Sequence, residues 1–455
     1  MIVKNVEELL DGYKGTEREI RKMAIEIVEH VIKRSNPEKL VLDFLNIENG
    51  KNRKAKLKTG EILEFDRAYV VAIGKAAYPM AKAITKIIPD VSGVIVTKYG
   101  YAESKKLGNL EVIEAGHPVP DENSVIGVKK ALKILEKAKK DDLLILLISG
   151  GGSSLFAMPE DGITLEDKIK TYKLLLECGA RIQEINTVRK HISAIKGGKF
   201  VKKATCRVLS LIISDVVGDD LETIASGISV KDSTTFEDAI SILKSYKIWD
   251  KVPNSVKEYL ERGRDGKEEE TLKEDLNNVI NKLICGSSKV CEFAVEKARD
   301  FGVNTYILTS QMEGESKDVG IFLASIAIDV KNKNRPFNPP AVIVAGGETT
   351  VTLMNTENSK GGPNQELALG FAKKLDGCKS ICLISIDTDG TDGPTDAAGG
   401  LVSYDTWNRI REAGLNPMEE LIKHNSYKAL KSAKALVFTG PTETNVNSIT
   451  ILVIR

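Results

Sequence analysis

The sequence has no hydrophobic run long enough to span a membrane. Its longest apolar stretches, such as Leu143 to Ile148, fall far short of the roughly 18 residues a spanning helix needs. The opening residues, MIVKNVEELLDGYKG, carry acids where a signal peptide has its apolar run, which argues against export. Cysteine is sparse: Cys178, Cys206, Cys285, Cys291, Cys378 and Cys382 include no C-x-x-C pair, so neither a disulfide framework nor a structural zinc site is expected. The four histidines (His30, His117, His191, His424) make no pair at metal-ligand spacing. An excess of one charge is lacking too. Lys and Arg number 65 against 64 Asp and Glu, a net charge of +1, whereas a nucleic-acid binder carries a clear basic excess. Glutamine is confined to Gln183, Gln311 and Gln365 while Lys, Glu and Ile abound, a bias that fits a thermophilic origin. These absences lead to the expectation of a cytoplasmic protein with reduced thiols, no nucleic-acid partner and no membrane partner.

What is present reads as a globular α/β protein. At 455 residues, with 42% hydrophobic and 28% charged residues, the chain has material for two or three domains. Short apolar runs alternate with amphipathic stretches, the pattern of mainly parallel strands joined by helices. Val6 to Leu45 reads as helical and ENGKNRKAKLKTGEILEF as a turn and polar hairpin. Buried strands are expected at Ala68 to Ile73, near Val94, at Leu143 to Ser149 and at Val208 to Ser214. The charge-rich stretch 250–282 reads as a linker region or a solvated helix pair, and KNKNRPFNPP (331–340) as a boundary. The natural architecture is two α/β lobes with a cleft between them.

In open α/β sheets ligands bind beyond the carboxyl ends of the strands, and several strands here end in suggestive residues. Lys75 follows AYVVAIG at the start of a helix, where free N–H groups already attract anions. Gly150, Gly151, Gly152, Ser153 and Ser154 follow LLILLIS, and a glycine-rich turn lets backbone approach a phosphate. The turn is not a Walker A loop, because no Gly-Lys-Ser/Thr follows. Leu155 breaks the dinucleotide fingerprint, and the order GGGSS is not the nucleophile elbow G-x-S-x-G. Asp215 and Asp219 in SDVVGDD form one acidic strand end, and Asp389 and Asp392 in DTDGTDGPTD form another. Clustered carboxylates repel unless a cation lies among them, and Mg²⁺ on a nucleotide takes one or two protein carboxylates plus phosphate oxygens. The second loop is not an EF-hand, because Thr391 and Ala398 stand where ligands are needed. Arg189 in NTVRKH can fork onto a carboxylate or phosphate, and Glu348 lies just beyond the strand AVIVA. His191 reads as a hydrogen-bonded structural residue. Anion cradles, acidic loops and cations together are the apparatus of phosphoryl transfer.

In sequence order, VVAIGKAAYPMAKA, AGHPVPDENS, LLISGGGSSLFAMPEDGITLEDK, EINTVRKHISAIKGGKF, ISDVVGDDLETIASG, AGGETTVTL, NQELALGFA and DTDGTDGPTDAAGG resemble the glycerate 2-kinases of the MOFRL type. The likeness runs from about Val70 to Asn447. It implies ATP- and Mg²⁺-dependent phosphorylation of D-glycerate to 2-phosphoglycerate. It also implies a Rossmann-like N-terminal domain (1–282), a smaller α/β MOFRL-type domain (283–455) and an active site in the cleft. By the resemblance, Lys75 is the catalytic lysine and Gly150 to Ser154 the glycine-rich loop. Asp215 and Arg189 lie in catalytic segments, and Glu348 and Asn364 lie in nucleotide-handling segments. Asp215, Asp219, Asp389 and Asp392 are the metal candidates. The pattern departs at Pro363, where the family's G-G-R-N-Q-E has its second catalytic arginine, so either another cation, with Arg189, Lys190 and Lys360 the nearest by sequence, supplies that charge or the substrate or efficiency has shifted. Ile228 and Glu443 are lesser departures, at positions where the family usually has proline and glycine. Two alternatives remain beside the kinase: a nucleotide-binding sensor without turnover, and a hydroxypyruvate reductase, for which no dinucleotide unit is visible. Whether the chain pairs as a homodimer stays open.

Overall fold

The computed structural model describes residues 1–50, 52–353 and 359–455. The chain divides into two compact units, one of residues 37–214 and 219–284, the other of residues 1–36, 215–218 and 285–455. Among the described residues no helix is long and apolar enough to cross a membrane.

The first unit is built on a seven-stranded sheet. Its strand order is Val279–Cys285, Arg207–Ile213, Leu143–Ile148, Ala68–Ile73, Ser92–Lys98, Asn109–Ala115 and Lys106–Leu107. The central strands pair in parallel and read as continuous Val/Ile/Leu runs because helices cover both faces. From Ala68–Ile73 the chain first adds Ser92–Lys98 on one side and later Leu143–Ile148 on the other. Between Ala68–Ile73 and Leu143–Ile148 the winding direction therefore reverses, and such a switch point leaves a crevice beyond the strand ends. The register sets Ile73 level with Ile148, so the turns that follow them begin side by side. A separate antiparallel sheet of Leu45–Glu48, Arg53–Leu57 and Ile62–Phe65 forms where the polar hairpin was expected.

Segment 250–282 is not a linker. It contains the helix Asn254–Arg264, whose Val256, Tyr259 and Leu260 are buried in an apolar cluster with Phe236 and Ile240. Farther on, Leu272 is buried, its N–H donates to Gly197 O (2.9 Å) and its carbonyl accepts from Asp232 N–H (2.7 Å). The charges lie on the outer face and the apolar residues keep helical spacing beneath them, which a count of charges does not reveal.

The second unit carries a six-stranded mixed sheet in the order Asn304–Met312, Ala341–Gly347, Ser448–Ile454, Ile381–Asp387, Gly399–Ser403 and Leu436–Val437. Only the first pair is parallel, because the last strand of the chain inserts antiparallel between Ala341–Gly347 and Ile381–Asp387. Leu383 packs into the core with Leu323, Leu367 and Phe371 of the helices Ser316–Lys333 and Pro363–Leu375. The two helices cross closely at Gly320, where a Cβ would sit 2.1 Å from Leu367 O. Cys382, on the opposite side of its strand, lies beside the buried Arg21 of the helix Gly15–Arg34.

That contact corrects the domain boundary. The sequence assigned residues 1–282 to one domain, but residues 1–36 belong with 285–455. Ile20, Met23, Ala24, Ile27 and Val31 form the buried stripe of Gly15–Arg34, and Arg21 Nη1 donates to Ser403 Oγ at 2.8 Å. An amphipathic helix shows that it has a partner without showing which one. KNKNRPFNPP is likewise no boundary: it joins Ser316–Lys333 to Ala341–Gly347 inside this unit.

Candidate active site

At the switch point two turns are tied together. Gly74 adopts φ +112°, and a Cβ there would lie 2.3 Å from Ser149 Oγ and 2.4 Å from Ser149 O, so only glycine fits. The next residue, Lys75, donates its N–H to Gly150 O (2.8 Å), and Ala76 N–H donates to Ser149 Oγ (3.0 Å). The half-buried Lys75 is thereby set against the glycine-rich loop, one step before the helix Ala77–Ile87.

The loop is anchored from below. The buried Lys196 donates from Nζ to Gly152 O (3.0 Å) and Ala225 O (3.1 Å). Ser153 Oγ shares a hydrogen bond with Ser226 Oγ (2.9 Å), which donates to Asn186 Oδ1 (3.0 Å). Arg189 Nη1 reaches that same oxygen at 3.5 Å, and its guanidinium lies 4.3 Å from the centre of the Tyr172 ring. One polar chain thus runs from the glycine-rich loop to Arg189. Burial is the main cause holding the Arg189 guanidinium below its usual range. Ser153, Ser154, Lys168, Tyr172 and Arg189 line one cavity in this unit.

His117, unremarked as a functional candidate in the sequence, belongs here. Its ring stands 3.1 Å from where a Gly151 Cβ would be. Burial first, then the charges of Lys75 and Lys98, hold its pKa down to about 4, so it is neutral at pH 7. The signal was its place in AGHPVP at the end of the strand Asn109–Ala115. His191 is structural, with Nδ1 on Thr187 O (2.7 Å) and Nε2 on Glu270 Oε1 (2.9 Å).

Asp219 lies in this unit with φ +57°, and its Oδ1 is buried without a hydrogen-bond partner among the described residues. Asp215 groups with the other unit, as do Glu348, Asn364, Asp389 and Asp392. There the acids expected from two separate motifs meet around a residue the sequence reading left out of its set. Asp387 is raised far above the usual carboxylate range, first by burial and then by Asp389, Asp392 and the exposed Glu348. Asp389 Oδ1 accepts from Thr391 N–H (2.8 Å) and Thr391 Oγ1 (2.9 Å). Asp392 accepts N–H bonds from Asn364 (3.0 Å) and Gln365 (2.8 Å) at the start of Pro363–Leu375, where the helix dipole favours an anion. Burial nevertheless pushes its pKa up to about 6. Among the described residues no three His, Cys, Asp or Glu side chains converge on one metal position.

Asn364 is engaged within the second unit. It is buried, its Nδ2 donates to Asp392 Oδ1 (3.1 Å) and Ser448 Oγ (2.8 Å), and its Oδ1 accepts from Ser385 Oγ (2.7 Å). It is a positioning residue. Pro363, where the family arginine was missed, takes the first turn of that helix, where a proline loses no backbone bond. Of the three substitute cations, Lys190 is paired with Asp232 (3.0 Å) in the interior, and Lys360 lies over the Tyr427 ring at 4.2 Å. Arg189 alone of the three lines the cavity.

The crevice at a switch point, the glycine-rich loop and the lysine at its edge define an anion-handling α/β enzyme fold. The comparisons with known proteins give its family. A model described as a domain of unknown function (DUF4147) matches residues 23–261, and the MOFRL family model matches residues 341–448. The chain is 51% identical to a glycerate 2-kinase of Pyrococcus horikoshii over 96% of its own length and 98% of the relative's. It is 42% identical to a D-glycerate 2-kinase of Thermotoga maritima over 95% and 98% respectively. A protein of Agrobacterium vitis with a provisional hydroxypyruvate reductase name is 43% identical, over 85% of this chain and 87% of that one. The crystal structure of the Thermotoga maritima glycerate kinase superposes with a TM-score of 0.85 at 41% identity, covering 96% of this chain and 100% of that one. A solved Pyrococcus horikoshii structure gives the same score at 51% identity, covering 96% and 98%. The chain belongs to the glycerate 2-kinase family.

Proposed function

We propose that the protein transfers the γ-phosphoryl group of ATP to the 2-hydroxyl of D-glycerate, giving 2-phosphoglycerate and ADP. The observation that carries this reading is the pair of joined turns, with Lys75 N–H on Gly150 O. It sets an ammonium group against a glycine-rich loop at the carboxyl ends of adjacent parallel strands.

In this reading the nucleotide phosphates lie along Gly150 to Ser154. Lys75 stabilises negative charge on the phosphoryl group in transfer, while Arg189 holds the acceptor's carboxylate by a charge-assisted fork. The acceptor hydroxyl oxygen bonds to the γ-phosphorus as the bond from that phosphorus to the bridging oxygen breaks. Asp215 takes the hydroxyl proton, and ADP leaves with the bridging oxygen. Mg²⁺, when bound, neutralises phosphate charge. Asp219 Oδ1, without a hydrogen-bond partner among the described residues, and, in the other unit, the crowding of Asp387 by Asp389 and Glu348 are each the donor chemistry that a hard cation accepts. Asp219 in the first unit and, separately, Asp215 and Asp389 in the second are the acids that would meet such a cation. Asp392 has its carboxylate held by two backbone N–H groups, so we assign it to fixing the helix start.

A reductase would need an acid after the strand that follows the first turn, to hold the cofactor ribose. That strand, Ser92–Lys98, ends in a lysine. A sensor that binds ATP without turnover is the second reading, favoured by Pro363. One assay separates the three. ATP, Mg²⁺ and D-glycerate should yield glycerate-dependent ADP, with 2-phosphoglycerate identified by phosphorus NMR. A 3-phosphoglycerate signal would overturn the regiochemistry, ATP binding without ADP would favour the sensor, and hydroxypyruvate-dependent NADH oxidation would favour the reductase.

A further inference from the structure

The cavity beside Ser153 and Ser154 is lined by a basic residue that the mechanism above does not use. Lys168, on the helix Leu165–Glu177, is 95% buried, with a relative exposure of 5%, and lines the cavity with Arg189. Its Nζ donates to Ile192 O at 3.2 Å, a backbone carbonyl and not a carboxylate. The groups facing it are Arg189 on Ile182–His191, Lys196 beyond that helix, Lys199 on Lys199–Lys202, and Glu160 in the preceding loop. Glu160 is already engaged by Lys199 Nζ at 2.6 Å. Lys168, Arg189 and Lys196 therefore stand as three neighbouring basic groups whose charged forms burial and mutual repulsion disfavour, each held by carbonyl or amide oxygen and none by an acid of its own among the described residues. Such an arrangement is unfavourable in an empty cavity and becomes favourable when an anion enters. The remaining wall, with Leu175, Val188 and Ile192, is apolar, so the site takes a small anion whose other face is poorly hydrated.

We propose that Lys168 is a second cationic contact for the carboxylate of the acceptor acid, gripping it together with Arg189 and setting the specificity for a short 2-hydroxycarboxylate over a neutral polyol. The proposal rests on the kinase reading above and adds to it the residue that recognises the acceptor. Burial first, then Arg189 and Lys199, bring the Lys168 pKa down to about 7, against the opposing pull of Glu160. In the free protein at pH 8 the amine is mostly neutral, and it must gain a proton when the carboxylate arrives. Acceptor binding is then accompanied by uptake of close to one proton at pH 8. Affinity falls roughly tenfold per pH unit above about 7 until the bound-state pKa is reached.

The test is calorimetry of D-glycerate binding in two buffers of different ionisation enthalpy, with steady-state kinetics, on the wild type, Lys168→Met and Lys168→Arg. Lys168→Met should raise the KM for D-glycerate roughly 10- to 100-fold while leaving the KM for ATP unchanged, the worth of one charge-assisted hydrogen bond. It should also abolish the proton uptake and flatten the pH dependence of KM. Lys168→Arg should restore part of the affinity. The melting temperature of Lys168→Met should equal or exceed that of the wild type, because a buried cation is removed from an apolar wall; a merely structural lysine would instead lower it. Unchanged glycerate KM and proton uptake in Lys168→Met would overturn the proposal. Should that variant fold poorly, Lys168→Arg decides: a glycerate KM and proton uptake both equal to the wild type's in that variant, whose guanidinium stays protonated, overturn it. If the wild type binds D-glycerate in a Lys168-dependent way without releasing ADP, the carboxylate seat stands and the kinase reading falls. If it binds neither D-glycerate nor another short 2-hydroxycarboxylate, the seat falls.

Discussion

Replacing Lys75 by alanine is expected to lower kcat by about a thousandfold with little change in the melting temperature. Removing one preorganised group that meets developing charge costs about 10²- to 10³-fold, and a full positive charge at a transferring phosphoryl group lies at the upper end. The backbone at this position should survive, since it is held by the Lys75 N–H on Gly150 O and the Ala76 N–H on Ser149 Oγ, neither of which involves the lysine side chain. A second readout is independent of turnover. The charge of Lys75 is one of the causes depressing His117, so the His117 titration followed by proton NMR should move upward from about 4 in the variant. An unchanged kcat would remove Lys75 from the chemistry. An unmoved His117 would show that the ammonium group lies elsewhere.

Lys190→Met is expected to do the opposite, removing about 3 kcal/mol of stability while leaving the remaining folded enzyme active. Lys190 and Asp232 are both buried, Nζ to Oδ1 is 3.0 Å, and breaking a buried pair strands the other charge at a cost of about 3–5 kcal/mol. The pH dependence carries the sign. Burial alone would raise the Asp232 carboxyl, but the charge and hydrogen bond of Lys190, with bonds from Thr234, hold it below its ordinary range. A depressed carboxyl stabilises the fold above its unfolded pKa of about 3.9, and that contribution is lost as pH falls through the folded value. In Lys190→Met burial prevails and the folded pKa rises above the unfolded one. The variant then loses stability as pH rises between about 4 and 7, and the gap from the wild type widens over that window. Urea unfolding at pH 4, 5.5 and 7 measures it. A constant gap would refute the assignment of Lys190 to a buried pair.

The contrast between these neighbours shows where sequence reading stops. Arg189 and Lys190 are adjacent in NTVRKH and equally basic, yet on the helix Ile182–His191 they point about 100° apart. One reaches the cavity and the other a buried aspartate, and only the packing of that helix decides which. Lys168 was hidden for the same reason. It closes a quoted motif, but a lysine two residues after a glutamate reads as solvated until its helix is seen to bury it. Asn364 is the converse case: a polar residue in a motif read as nucleotide-handling has its amide hydrogen-bonded to Asp392, Ser448 and Ser385, partners that only the fold brings to it.

By itself the sequence determined the fold class, the parallel strands of the first unit and the turns that follow them. The period-2 and period-3.6 patterns and the glycines at strand ends are local, and each element buries an apolar face whatever its partner. Tertiary structure alone decided which faces meet. It assigned residues 1–36 to the unit of 285–455, inserted the final strand antiparallel between two others, and brought Glu348 into the field of Asp387. It also left Lys168, Arg189 and Lys196 without acids of their own among the described residues. Charge balance along a chain is a sum over residues, whereas the field in a cavity depends on which of them fold to within a few ångströms of one another.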